Sequence, residues 1–247
     1  MIRIRGLSKK LGGKQVLDGL DLDIPTGITL VIMGRSGSGK SVLLKHIIGL
    51  MHSDAGTIQV DDQFMTGVSE HELNEVRKRF GMLFQGAALF DSMTVGENIA
   101  LPLREHTKLS EAEIRARVAE RLSWVGLTGV EEMKPASLSG GMRKRVGLAR
   151  AIAMDPAYIL YDEPTTGLDP IMSDVINRLI RSLQARIAVT SIVVTHDLHS
   201  AWHVGDRLAL LHNGKMVFNG TPSEAKETSD ARVRQFIEGK SDELIQT

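Results

Sequence analysis

Short apolar runs rich in β-branched residues alternate along the chain with longer segments in which apolar positions recur every three or four residues. The first pattern is typical of buried strands and the second of amphipathic helices. Their alternation predicts an α/β fold with a largely parallel central sheet. The predicted strands are Ile2 to Gly6, Thr29 to Met33, Thr57 to Val60, Phe80 to Phe84, Tyr158 to Asp162, Ser191 to Thr195, Arg207 to Leu211 and Lys215 to Phe218.

The strand pattern stops between Gln85 and about Asp155. Three helical segments replace it, "TVGENIALPLREH", "SEAEIRARVAERLSWVGL" and "GGMRKRVGLARAIAM". Ser110 and Glu113 stand three residues apart at the start of the second segment, which is the spacing of a capping box. This stretch is therefore predicted to be an all-helical insert.

We expect a single domain over residues 1–247. Its core is predicted in residues 1–84 and 156–220, and the insert in residues 85–155. Residues 221–247 are predicted to form C-terminal helices and the polar tail "KSDELIQT", which is typical of a frayed end.

Charge and composition restrict the possible partners. The chain carries 30 basic and 30 acidic residues, so no overall field attracts nucleic acid or an anionic membrane. It has no cysteine, which excludes disulfides and thiolate metal sites, and its apolar runs are far shorter than the roughly 20 residues of a membrane span. These features favour a soluble intracellular protein.

The segment "GRSGSGKS" has the pattern of a phosphate-binding P-loop. It follows the predicted strand "ITLVIM" and precedes the apolar-periodic helix "SVLLKHIIGLM", which is the context that this motif requires. Its glycines let backbone N–H groups converge on a phosphate, Lys40 reaches the β- and γ-phosphates, and the Ser41 hydroxyl can bind Mg²⁺. The predicted nucleotide-binding residues are Gly34, Arg35, Ser36, Gly37, Ser38, Gly39, Lys40 and Ser41.

Two carboxylates end the buried apolar segment "YILYDEP". Beside a bound triphosphate, Asp162 is placed to hold Mg²⁺ through its water shell, and Glu163 to polarise an attacking water. Without a P-loop in the chain, an acidic strand-to-turn cap would be the better interpretation.

Three further features are ambiguous when taken alone. "LSGGM" predicts a helix start at Ser139, Gly140 and Gly141 that suits an anion, but an ordinary serine N-cap has the same pattern. Asp169 follows the carboxylate strand in "TTGLDP", and His196 ends the strand "SIVVT".

Together the motifs resemble the ATPase subunit of ABC transporters, over the chain from Ile2 to about Gly220. The resemblance implies a P-loop NTPase fold of the ABC ATPase type, with a mostly parallel core sheet, an antiparallel β subdomain and the helical insert. It also implies binding of ATP and Mg²⁺ and hydrolysis of ATP. The residues that carry it are Gly34 to Ser41, Gln85, Leu138 to Met142, Tyr158 to Glu163, Asp169 and His196.

In that family two subunits pair head to tail. The resemblance implies a homodimer in which Ser139, Gly140 and Gly141 of one copy cap the γ-phosphate held by the P-loop of the other, while Asp169 couples the two sites. An anion-binding helix start supplied in trans would do the work of an in-trans arginine finger.

The resemblance also gives roles to residues around the metal. Ser41, Gln85 and Asp162 are implied at Mg²⁺, with Gln85 linking the metal to the helical insert. Glu163 is the implied base, and His196 the sensor of the γ-phosphate.

Two positions depart from the family pattern. Many of these ATPases stack an aromatic side chain on adenine, but "KKLGGKQVL" offers Leu11, so we expect apolar contact of the base with Leu11 and Val16. Met142 stands where glutamine is common after the signature glycines.

Two other parts of the sequence have alternative interpretations. His196, His199 and His203 follow a spacing that could place metal ligands on one helix face, but the chain has no cysteine and His196 has an implied role at the γ-phosphate, so no metal is expected there. The cluster Arg143 to Arg145 could contact nucleic acid, but in a neutral chain such a cluster is usually a solvated helix face, so no nucleic-acid partner is expected.

The stretch from Gln85 to Thr107 raises a separate question. One short hairpin cannot bury the whole apolar run that follows Gln85, namely Ala87, Ala88, Leu89, Phe90 and Met93. These side chains either belong to the core of the insert or line a groove for a partner helix.

This stretch, "LSGGMRKR" and "RVRQFIEG" resemble the ATPases of Mla-type, MCE-associated phospholipid transport systems. The resemblance implies a multipass permease docked near Gln85 to Thr107, an MCE-domain substrate-binding protein, a small STAS-like subunit, and a place on the cytoplasmic face of a bacterial inner membrane. Phospholipid would move between the inner and outer membranes, maintaining outer-membrane lipid asymmetry. The alternatives are an importer ATPase for a small solute such as polar amino acids, and a non-transport protein acting on nucleic acid or ribosomes.

Overall fold

The computed structural model describes residues 1–240. Residues 241–247, which include most of the tail predicted to be frayed, lie outside the described part. The strands are β1 (Ile2–Leu11), β2 (Lys14–Ile24), β3 (Thr29–Met33), β4 (Ala55–Val60), β5 (Gln63–Phe64), β6 (Phe80–Leu83), β7 (Tyr158–Asp162), β8 (Thr190–Thr195), β9 (Arg207–His212) and β10 (Lys215–Gly220). The helices are α1 (Lys40–Ile47), α2 (Glu70–Arg77), α3 (Val95–His106), α4 (Glu111–Trp124), α5 (Gly140–Ala151), α6 (Pro170–Ile187), α7 (Leu198–Val204), α8 (Pro222–Glu227) and α9 (Ala231–Glu238).

Backbone contacts divide the chain into two compact units. Among the described residues, the first contains residues 1–67 and 194–240, and the second contains residues 68–193. The sequence-based division into a core and an insert at residues 85–155 stays a prediction. Within residues 1–240, no helix combines the length and apolar character needed to cross a bilayer.

The first unit contains an antiparallel sheet with the strand order β2-β1-β4-β5. β1 is central, and its Ile2 pairs with Ile24 on one side and with Val60 on the other. This sheet confirms the expected antiparallel β subdomain. In the same unit, β3 pairs in parallel with β9, which pairs in antiparallel fashion with β10. All five residues of β3 are buried, so the loop that follows it starts from a fixed strand end.

The second unit pairs β6 with β7 in parallel, with Phe80 opposite Tyr158. Helices α3, α4 and α5 pack on one another, and α5 also packs on β6. α4 begins with the predicted capping box of Ser110 and Glu113. α3 begins in the same way, where the Thr94 side chain accepts a hydrogen bond from the backbone N–H of Glu97.

No predicted segment corresponds to β2, β5, α2 or α6. β2 contains aspartates and a glycine, which are depleted in strands, and three register shifts against β1 disturb its alternation. α2 buries only Leu73 and Val76, too few positions to establish a period. Its capping box of Ser69 and Glu72 was the available signal.

The approach of α5 to β6 limits the side chain that position 81 can carry. A Cβ atom at Gly81 would lie under 3.0 Å from the backbone carbonyl oxygen of Ala151, and the backbone cannot easily move. Gly81→Ala should therefore lower the free energy of unfolding by about 1–3 kcal/mol, as measured by urea denaturation. The matched control is Gly86→Ala, where a Cβ atom would meet nothing within 4 Å. Equal stability of the two variants would show that the close approach is not a constraint.

Candidate nucleotide site

The loop after β3 can be built only with glycine at its first position. Gly34 is buried, and a Cβ atom there would lie 2.5 Å from the carbonyl oxygen of Leu211 and 2.6 Å from Ser38 Oγ. Gly37 and Gly39 have φ angles of 75° and 104°, which side chains rarely adopt. The predicted loop therefore exists as a tight backbone turn.

Lys40 is the first residue of α1, and it is only 6% exposed. Its ammonium donates to the backbone carbonyls of Gly34 at 2.9 Å and Arg35 at 3.2 Å. The Ser38 hydroxyl is buried and has no hydrogen-bond partner within residues 1–240. A lysine ammonium, a free hydroxyl and the N–H groups of a helix start fit a phosphate group.

Val16 contacts this loop, as expected for a residue near the nucleotide. Its carbonyl oxygen and Cγ1 lie 3.0 and 3.1 Å from the position of a Cβ atom on Gly39.

Leu11 is the last residue of β1 and is 39% exposed. His196 directly follows β8 and is exposed. Their predicted contacts with a nucleotide stay predictions.

The two predicted carboxylates lie at the end of β7 in the second unit. Asp162 is its last residue, Glu163 follows, and each is only 8% exposed. Glu163 has a φ angle of 48°, in the left-handed region. Thr166 donates to Glu163 twice, from its hydroxyl to the carboxylate at 3.4 Å and from its backbone N–H to the carbonyl at 3.2 Å.

One buried ammonium joins Glu163 to Gln85. Lys144 of α5 is 5% exposed, and its Nζ donates to the backbone carbonyl of Gln85 and, at 3.3 Å, to that of Glu163. Burial lowers the pKa of Lys144, while the negative charges of Asp162 and Glu163 act in the opposite direction. Sequence reasoning did not identify Lys144 as a functional residue.

The expectation that Arg143 to Arg145 form a solvated helix face holds for the exposed Arg143 but is wrong for Lys144 and Arg145. Besides the buried Lys144, Arg145 is partly buried and donates to the carbonyl of Gly126 at 2.9 Å. Arg143 donates to the carbonyl of Leu138 at 2.7 Å. These hydrogen bonds to main-chain carbonyls fix the helix in the fold, which charge counting could not detect.

The signature segment forms a helix start as predicted. Ser139 is the N-cap of α5, and its hydroxyl accepts from the backbone N–H of Met142 at 3.2 Å. Ser139 and Gly140 are exposed, whereas Gly141 is buried. Asp169 is exposed and caps α6, where it accepts from the N–H of Met172 at 2.9 Å.

The apolar run after Gln85 is divided between core and surface. Ala87 is buried at 1% exposure, whereas Phe90 is 49% exposed. The buried side chain of Asn98 accepts from the N–H of Phe90 and donates to the carbonyl of Thr94 at 2.9 Å. Arg150 donates to the carbonyl of Ala87 at 2.9 Å. The core interpretation therefore applies to Ala87, and for the exposed Phe90 a groove for a partner helix stays a prediction.

A groove of about 370 Å³ lies beside α3 and α4. It combines small and aliphatic side chains with charged ones, and Arg104 bridges Glu111 across it at 2.7 Å. Its lining residues are Thr94, Gly96, Glu97, Ala100, Arg104, Glu111, Ile114, Arg115, Val118, Glu131 and Glu132.

The histidines considered as metal ligands lie on and before α7. The rings of His199 and His203 stack with centroids 6.3 Å apart. In residues 1–240, no three His, Cys, Asp or Glu side chains are grouped as a metal site.

Residues 17–166 match the family model described as ABC transporter. A dimeric ATP-binding cassette solved in a post-hydrolysis state with ADP and Pi superimposes with a TM-score of 0.83. It is 33% identical, and the match covers 90% of this chain and 98% of that one. The α/β fold expected from the sequence is confirmed.

Curated relatives extend along almost the whole chain. The probable ribonucleotide transport ATP-binding protein mkl of Mycobacterium leprae is 46% identical over 97% of this chain and 69% of its own length. The intermembrane phospholipid transport system ATP-binding protein MlaF of Haemophilus influenzae is 43% identical over 98% of this chain and 92% of its own. MlaF of Escherichia coli K12 is 40% identical, with coverages of 98% and 90%.

Replacing the loop lysine tests the candidate site. Lys40→Met removes the buried ammonium, so we expect ATP affinity to fall about 10- to 100-fold in a fluorescent-nucleotide titration, because hydrogen bonds to charged groups contribute about 1.5–3 kcal/mol. Lys45→Met is the control, since Lys45 is exposed on the same helix. Unchanged affinity of Lys40→Met would contradict the site.

Proposed function

This chain belongs to the ABC transporter family and is an ATPase of that family, and from this premise we propose that it energises a membrane transporter for phospholipids. The observation that carries the proposal is the similarity to the two MlaF proteins, which extends over 98% of this chain and at least 90% of theirs. The name of mkl points to ribonucleotides instead, but this chain spans only 69% of that protein. The end-to-end match favours phospholipid over ribonucleotide or another small solute.

We infer that the triphosphate binds at the P-loop, residues 34–41. The position of Lys40 supports this, because its ammonium lies within the turn, where it can donate to β- and γ-phosphate oxygens. The orphaned Ser38 hydroxyl would gain a partner, and Val16 and Leu11 would contact the base. The Ser41 hydroxyl, Gln85 and Asp162 are the oxygen donors that would hold Mg²⁺, which when bound would neutralise charge on the phosphates.

Glu163 is the proposed general base. It would accept a proton from water as that water attacks the γ-phosphate, and His196 would contact the same phosphate. Near-complete burial of the Glu163 residue supports the role, since a fixed carboxylate in a dry environment can orient one water.

We further propose that two copies pair head to tail. Ser139, Gly140 and Gly141 of one copy would face the γ-phosphate of the other, with Asp169 near the contact. The exposed helix start at Ser139 and Gly140 supports the pairing, because its N–H groups are accessible to an anion from outside the chain. The related cassette was solved as a dimer.

The proposed membrane partner is a multipass permease bound at residues 85–107. Exposed Phe90 and the groove beside α3 and α4 offer apolar and charged contacts for a permease helix. An MCE-domain protein and a small STAS-like subunit complete the proposed assembly at the cytoplasmic face of a bacterial inner membrane.

The base assignment is tested by Glu163→Gln. The amide keeps the size of the side chain but cannot take a proton, so ATP affinity should persist while turnover falls about 100-fold or more. Phosphate release and nucleotide titration on the same sample separate the two effects. Near-normal turnover would reject Glu163 as the base.

The docking assignment is tested by Phe90→Asp in cells that also express the permease. A charge in an apolar interface should reduce the amount of permease that co-purifies, while ATPase activity of the isolated chain persists. Phe64→Asp is the matched control, since Phe64 is 51% exposed and Phe90 is 49% exposed. Equal loss in both variants would indicate a general surface effect.

The cargo is tested in reconstituted transporter. Phospholipid should move between donor and acceptor membranes only with ATP and an intact Glu163, whereas labelled ribonucleotides and polar amino acids should not move. Transport of either solute without lipid movement would overturn the phospholipid assignment.

A further inference from the structure

Lys144 is a buried cation that none of the proposed catalytic roles uses. A buried ammonium is costly unless hydrogen bonds compensate for its lost hydration. Here the compensation comes from the main chain, through the carbonyls of Gln85 and Glu163, with the charges of Asp162 and Glu163 nearby. One atom of α5 therefore connects the segment that begins at Gln85 to the end of β7.

The bond to Glu163 acts on a strained residue. A non-glycine residue in the left-handed region costs about 1–3 kcal/mol and persists only where its surroundings hold it. The Glu163 carbonyl is held by Lys144 at 3.3 Å and by the backbone N–H of Thr166 at 3.2 Å. Fixing this peptide fixes the direction in which the Glu163 side chain leaves the backbone.

Gln85, whose carbonyl accepts from Lys144, comes directly before the apolar run, which is only partly exposed. Ala87 and Ala88 also have left-handed φ angles, of 62° and 48°. Arg150, six residues after Lys144 on α5, donates to the Ala87 carbonyl, and its guanidinium lies 5.9 Å from the ring centroid of Phe90. α5 thus contacts the run at two places. Lys144 donates to the carbonyl of Gln85, just before the run, and Arg150 lies beside the exposed Phe90.

The glycine between these two cations brings the helix close. A Cβ atom at Gly147 would lie 2.9 Å from Leu83 Cδ1 and 3.2 Å from Ala87 Cβ. β6 and the run pack tightly against α5 here, with no gap between them. A displacement of the run would therefore also displace α5.

We propose that Lys144 is a positioning residue that couples the docking run at residues 85–90 to the orientation of Glu163. The inference rests on the proposed function, since it assumes that Glu163 is the base and that the run receives the permease. A partner that shifts the run would move the Gln85 carbonyl, and through the shared ammonium it would change the peptide that orients Glu163.

The first test compares Lys144→Met and Lys144→Arg in the full-length chain. The methionine variant should keep ATP affinity within about twofold and lose about 10- to 100-fold in kcat, because small misplacements of a catalytic group have effects of this size. Arginine should restore most of the loss, since it stays charged and has several donors. Lys108→Met, at an exposed lysine of the same unit, is the control.

The second test is a double-mutant cycle with Glu163→Gln, measured by single-turnover hydrolysis. If Lys144 acts through Glu163, adding Lys144→Met to Glu163→Gln should cause little further loss of hydrolysis rate.

In the transporter reconstituted with permease, Lys144→Met should also lose the stimulation of ATP hydrolysis by the permease. If the methionine variant fails to fold, Lys144→Gln enters the same cycle, because its amide still donates a hydrogen bond.

Three results would overturn the inference. The first is a wild-type kcat in Lys144→Met, and the second is that Lys144→Met lowers the hydrolysis rate by the same factor in the wild-type and Glu163→Gln backgrounds. The third is a parallel loss of ATP affinity, kcat and stability to urea in Lys144→Met. The failure of the proposed function is distinct, because it would appear as a wild-type chain that does not hydrolyse ATP.

Discussion

The second unit depends on the close approach of α5 to β6 and to the loop that follows. Two glycines allow it, Gly81 on the strand and Gly147 on the helix, and at each a Cβ atom would lie under 3.0 Å from a neighbouring atom. Once the helix is this close, Lys144 and Arg150 can reach main-chain carbonyls that a helix at ordinary distance would leave to water. Packing therefore comes first in this region, and its polar contacts follow from it.

Much of the fold followed from hydrophobic periodicity and cap chemistry. Strands β3 and β7 have the predicted bounds, and the capping box at Ser110 and the helix start after Ser139 are confirmed. These features depend on neighbours in sequence. β2 was missed because its buried leucines are interrupted by aspartates and its pairing is irregular. The role of Lys144 was missed for a different reason. Its partners are main-chain carbonyls 59 and 19 residues away, and because every residue has such a carbonyl, the sequence does not mark which ones it contacts.

The candidate site was predictable to a similar extent. Motif spacing indicated the loop of residues 34–41, and the structure adds the reason for Gly34 and the contact of Val16 with Gly39. Motif spacing also singled out Asp162 and Glu163, but it could not show that Glu163 has a left-handed backbone. That conformation arises where a strand end meets a buried ammonium from a distant helix, a tertiary effect that no local pattern records.

The buried Ser38 hydroxyl has a thermodynamic consequence. A buried polar group without a partner destabilises a fold by about 1–3 kcal/mol, and a phosphate oxygen can accept the bond that the chain between residues 1 and 240 does not supply. Nucleotide and fold are thereby linked, since any ligand that binds only the folded state raises its stability with the logarithm of the ligand concentration. The stability of this ATPase would then follow the total concentration of free ATP and ADP, and depletion of both would expose the chain to proteolysis as well as stop its turnover.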